Sequence, residues 1–208
     1  MANELFMLGN IGENLKLSLL AMFNGIKNTL VIPRFFRNVF ITSIPKKKKF
    51  SSLLLEKERG IFLVTKLRAI FSKLLYNSII ETIEENLSKS SIGARKGRSP
   101  RDHLFVINSI LNEVINSKSH KEIDLVFYDV KEAFDSLPVE HTLYDLYTNK
   151  VENNSINLLY EMSKSADIQI KTPVGITKKD TINDCIMQGE TPSSILCTNT
   201  IDKISKDC

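Results

Sequence analysis

Apolar residues recur along this chain with two different periods, and the order in which those periods alternate constrains the fold more than any other feature. Residues 13 to 30 place Leu15, Leu19, Met22, Phe23, Ile26 and Leu30 on one helical face, with Pro33 stopping the pattern. "NVFITSIP" and "RGIFLVT" then read as short β-rich runs on either side of a lysine-rich loop. From Lys66 to Leu87 the spacing returns to helical through Leu67, Ile70, Phe71, Leu74, Ile80, Ile83 and Leu87. A further helix is predicted over about 101 to 118, burying Leu104, Ile107, Ile110, Leu111 and Val114. Next come a strand from Ile123 to Asp129, helices at about 139 to 150 and 153 to 164, a hairpin in "ADIQIKTPVGITKKDTI", and a last helix beginning in "TPSSILCTNTIDKI". Strands and helices mix without a strict βαβ repeat, which points to an α+β fold.

Composition sets the scale of that fold. With 208 residues, 42% hydrophobic and 25% charged, the chain can bury a sizeable core as one large domain, or one domain plus a lobe. The net charge is only +4, but it is unevenly spread: between Arg34 and Lys73 eleven basic residues face two acids, Glu56 and Glu58. A second basic stretch, "GARKGRS", lies in a loop broken by Gly93, Gly97 and Pro100. Cys185, Cys197 and Cys208 have neither the count nor the spacing of a disulfide framework or a zinc motif, so a reducing, intracellular compartment is expected. Glu4 stands where a secretory signal would carry lysines, and no uninterrupted apolar run approaches about 18 residues, so the chain is read as soluble and away from membranes.

The segment "LVFYDVKEAFDSL" aims Asp129 from the end of an expected buried strand. On its own it fits a strand meeting a helix N-terminus, where a carboxylate is favoured by capping and by the helix dipole. Further on, "IMQGETPSSIL" sets Gln188 and Gly189 ahead of Ser193 and Ser194 at a hairpin-to-helix junction, where glycine lets backbone approach a ligand closely.

Four elements now stand in order: basic strand-loop-strand with Arg59-Gly60, glycine-basic loop, strand with Asp129 and Phe134, and Gln188-Gly189 with Ser193. In that order the chain resembles the reverse transcriptase domain of non-LTR retrotransposons over nearly its whole length. The resemblance implies the fingers (about 1–118) and part of the palm (about 119–208) of a right-hand polymerase, with antiparallel palm strands packed on helices. Asp129 would be the catalytic metal-binding carboxylate, assisted by the carbonyl of Val130, and Phe134 would lie under the incoming sugar. Arg59, with Lys46 and Lys47, would hold the triphosphate, alongside Gln188 and Gly189. Arg95, Lys96, Arg98 and Ser193 would contact template or primer. The implied activity is RNA-directed DNA polymerisation with two Mg²⁺ ions, on an RNA template, a DNA primer and deoxynucleoside triphosphates.

The chain departs from the family pattern at Ser194, Gly60 and Ser91, where proline, proline and glutamine are usual. It also holds no Tyr-x-Asp-Asp or similar pair after Gln188-Gly189. Two-metal phosphoryl transfer needs several carboxylates, so an incomplete domain, inactive by itself, is expected. Two alternatives stand beside this one: a non-catalytic nucleic-acid-binding remnant of a retroelement, and the palm of an RNA-dependent RNA polymerase. The latter fits less well with the bulky, apolar Phe134 where a ribonucleotide site needs a polar group.

Overall fold

The computed structural model describes residues 12–45, 58–116, 122–130, 133–172 and 174–207. Helix α1 (Glu13–Thr29) buries Leu19, Phe23 and Ile26, a stripe at i, i+4 and i+7, and ends where Leu30 turns left-handed at φ 58°. A single 3₁₀ turn (Arg34–Arg37) leads into β1 (Asn38–Pro45), which pairs antiparallel with β2 (Glu58–Val64). Helix α2 (Lys66–Asn86) follows at once, its first turn closed by the Thr65 hydroxyl accepting from the Arg68 N–H at 3.3 Å. Then come α3 (Pro100–Asn116), the one-turn α4 (Ala133–Ser136), α5 (Val139–Thr148) and α6 (Asn153–Ser163). Strands β3 (Ser165–Thr172), β4 (Gly175–Ile176) and β5 (Asp180–Asn183) precede the last helix, α7 (Ser193–Asp207).

The strands form one mixed sheet in the order β2-β1-β3-β4, with β5 also pairing to β3. The β1–β3 pair is parallel, with Asn38 opposite Asp167 and Thr42 opposite Lys171, and the other pairs are antiparallel. The strand pairs within residues 119–208 are antiparallel, as expected, and the parallel pair joins β3 to β1 from the first half of the chain. A parallel neighbour demands a crossover, and the helices between β2 and β3 supply the chain length for it. What the structure establishes is a mixed α/β architecture with a five-stranded mixed sheet.

The main core gathers α1, α2, α5, α6 and α7 around Phe23, Phe71 and Phe36, with the Phe23 and Phe71 rings 5.4 Å apart and those of Phe36 and Phe71 5.9 Å apart. A second, smaller cluster lies on one face of the sheet. There Val39, Ala166 and Met187 are buried, with Phe62, Val64, Ile168 and Ile182 packed against them, following the two-residue alternation of each strand.

Two expectations fail. Helix α3 forms, but none of its residues is buried: Leu104 is 58% exposed, Phe105 74% and Ile110 41%. Its apolar stripe has no packing layer among the described residues. Residues 122–130 are an irregular, exposed segment rather than a buried strand, with Phe127 77% exposed and Tyr128 93%. A β-rich sequence becomes a strand only when another strand satisfies its N–H and C=O groups, and no described strand pairs with this segment.

Candidate functional site

The segment Met187 to Ser193 is held by several different interactions. Met187 is buried in the small cluster under the sheet, opposite Val39 and Ala166. The next carbonyl, that of Gln188, accepts from the Phe62 N–H at 3.0 Å. Strand β2 lies at the sheet edge, so this bond covers an outward-facing N–H that would otherwise be free for another chain. Gly189 then turns at φ 111°, and a Cβ there would lie 3.0 Å from the Phe62 carbonyl oxygen and 3.3 Å from Ile61 Cγ2. Both the left-handed backbone and the close approach require glycine. The loop thus crosses the edge of β2, from Met187 on one face to Gly189 beside Ile61 on the other.

Arg59 lies two residues before Ile61 and, by strand alternation, on the same face as Ile61 and Gly189. It is exposed and pairs across the ladder with Ile44. An exposed guanidinium and an exposed glycine backbone therefore share one face of the β1–β2 pair, a combination able to receive an anionic ligand.

The following residue fixes the loop from inside. Glu190 is buried and takes a bidentate contact from Arg68, with Nε to Oε1 at 2.7 Å and Nη2 to Oε2 at 2.9 Å. The Ser72 hydroxyl donates to Oε1 at 2.6 Å. Arg68, only 1% exposed, also donates to the carbonyls of Phe36 at 2.9 Å and Met162 at 3.0 Å. One buried side chain thereby ties α2, the 3₁₀ turn, α6 and the Gln-Gly loop together. Ser193 is buried at the start of α7, its N–H donating to the Glu190 carbonyl at 3.2 Å.

Sequence reasoning missed Arg68, Ser72 and Glu190. The only sign of them was a glutamate directly after Gln-Gly and an arginine in the first turn of a helix otherwise read by its apolar stripe.

The other expected site residues lie elsewhere. Asp129 and Val130 end the exposed irregular segment, and nothing described joins either to the Gln-Gly loop by a hydrogen bond or ion pair. Phe134 is half-buried and packs against the main core, where a turn-forming apolar residue would sit. Lys46 and Lys47 lie outside the described residues. In the glycine-basic loop, Arg95 is committed to structure: it pairs with Glu84 at 2.6 Å and donates to the carbonyls of Ser88 and Ser91, each at 2.8 Å. Its neighbours Lys96 and Arg98 are exposed.

Among the described residues no group of three or more His, Cys, Asp or Glu side chains is placed to hold a metal ion. Asp129, displayed on an exposed segment, does not by itself fit the demands of a two-metal centre, which several convergent carboxylates must fix.

No helix among the described residues is long and apolar enough to cross a membrane. No protein-family model matches the chain, and no curated protein matches it.

Proposed function

We propose that the chain forms the fingers and part of the palm of a retroelement reverse transcriptase, working on an RNA template, a DNA primer and deoxynucleoside triphosphates, with Mg²⁺ as the metal. The observation that carries this reading is the Gln188-Gly189 loop seated on strand β2 and facing the side that bears Arg59. Template-directed synthesis needs a rigid backbone surface against the incoming nucleotide and a fixed cation for its triphosphate, and these two features meet on one strand. The basic residues around β1 and β2 and the exposed Lys96 and Arg98 suit a nucleic-acid backbone.

A second reading is a non-catalytic nucleic-acid-binding remnant. It is favoured by the exposed, irregular setting of Asp129.

Binding of the purified chain to a primer–template duplex, followed by fluorescence anisotropy across a salt series, tests what the two readings share. Weak binding is expected, and neutralisation of about four phosphates gives a slope of log K against log salt near about −3. Photo-crosslinking of a deoxynucleoside triphosphate then separates them. The polymerase reading expects labelling on the β2 face that Arg59→Ala reduces and the remnant reading expects none. Salt-independent binding, or no binding at low salt, would remove both.

A further inference from the structure

Away from the Gln-Gly loop, a cavity of about 440 Å³ opens where the 3₁₀ turn meets β3 and β5, lined by Ile32, Arg34, Arg37, Ser165, Asp167 and Thr181. Its charge is unbalanced. Asp167 is the one carboxylate in that lining, and it is already matched by Lys179 at 2.8 Å and by the Thr181 hydroxyl at 3.2 Å. Arg34 also acts on Asp167 through its charge, so among the described residues one carboxylate is shared by Lys179 and Arg34 and the lining keeps a surplus of positive charge. In addition, Arg37 Nε is buried without a hydrogen-bond partner among the described residues. A buried guanidinium N–H left unpaired is costly, and a small shift of the Arg37 side chain toward the cavity it lines would bring that N–H to a ligand oxygen.

We propose that this cavity is an anion site that takes the phosphoryl group of a phosphate ester. Two features favour phosphate over a carboxylate. The donors that no described residue occupies, the guanidinium groups of the 3₁₀ turn and the Ser165 hydroxyl of β3, come from two separate elements, which suits tetrahedral oxygens better than a planar fork. The surplus of positive charge from two guanidinium groups also matches the charge of a phosphate ester. The volume exceeds that of phosphate alone, leaving room for the attached organic group against Ile32. The phosphate comes from either a free phosphorylated metabolite or the backbone of an RNA strand. None of the lining residues belongs to the Gln-Gly loop, so the site stands independently of the polymerase reading.

The test uses the full chain at low salt. Backbone amide resonances of Ser165 and Thr181 are followed during titration with inorganic phosphate, adenosine monophosphate and a short single-stranded RNA, and affinities are measured by calorimetry. Both amides are expected to shift, and Arg34→Gln is expected to weaken the binding of the mononucleotide about tenfold, with Arg37→Gln weakening it further. Arg34 is exposed, so its variant should melt like the parent and keeps the test valid if Arg37→Gln fails to fold. Shifts with the mononucleotide but not the RNA identify a free ligand, shifts with the RNA identify a strand phosphate, and both support the site. Unshifted amides with all three probes at millimolar concentration, or unchanged affinity in Arg34→Gln, would overturn it.

Discussion

Removing the Glu190 carboxylate is expected to be among the most damaging single changes in the protein. Glu190→Ala deletes both halves of the bidentate contact with Arg68, at 2.7 and 2.9 Å, and strands the Ser72 hydroxyl that donated to it at 2.6 Å. Arg68 stays charged at 1% exposure, with the Phe36 and Met162 carbonyls as its remaining hydrogen-bond acceptors. Breaking a buried ion pair from one side costs about 3–5 kcal/mol, because the surviving charge is left desolvated. That is a large part of the roughly 5–15 kcal/mol by which a domain is stable. With a urea m-value of about 2 kcal/mol per molar, the unfolding midpoint should fall by about 2 M. The double variant Arg68→Met, Glu190→Leu removes both charges and should be less destabilised than Glu190→Ala, since apolar replacements of buried pairs are often neutral or stabilising. Equilibrium urea unfolding of parent, singles and double closes the cycle. A loss below about 1 kcal/mol in Glu190→Ala, or a double variant as unstable as the sum of its singles, would refute the claim that this pair is coupled in a desolvated site.

Two further outcomes are expected. Gly189→Ala forces a Cβ to within 3.0 Å of the Phe62 carbonyl oxygen at a φ of 111°, so stability should drop by about 1–3 kcal/mol and the loop should lift from β2; an unchanged urea midpoint with the Phe62 amide still protected from exchange would count against the close approach. Asp202 is buried, and although burial is the largest influence and pushes its carboxyl up, the bonds from Lys206 at 2.7 Å and from the N–H and hydroxyl of Ser88 outweigh it and hold the pKa below the ordinary 3.8. A carboxyl with a depressed folded pKa contributes stability fully above its unfolded value and loses it as pH falls through the folded one. Asp202→Asn should therefore lower stability at neutral pH and flatten the decline seen below about pH 4, and parallel acid-unfolding curves for parent and variant would show the ion pair to be inert.

The elements whose apolar residues carry their own period were legible in the sequence. The stripe Leu19, Phe23, Ile26 makes α1 a helix wherever it packs, the β-rich runs flanking the lysines pair as β1 and β2, and α2, α5, α6 and α7 form close to where helical spacing places them. Local pattern decides these because each depends on residues a few positions apart. The Gln-Gly turn was legible too, since Gly189 sits at a positive φ that few other residues adopt. Long-range contact decided the rest. Residues 123–129 have the composition of a strand, yet a strand is a property of two chains of backbone, and no described strand lies beside them. The stripe of α3 is as apolar as that of α1, but nothing described covers it. Arg68 and Glu190 are separated by 122 positions and become a pair only when α2 and the Gln-Gly loop close on the same core. Burial converts two ordinary charged residues into one bidentate clamp, and no window of sequence contains both of them.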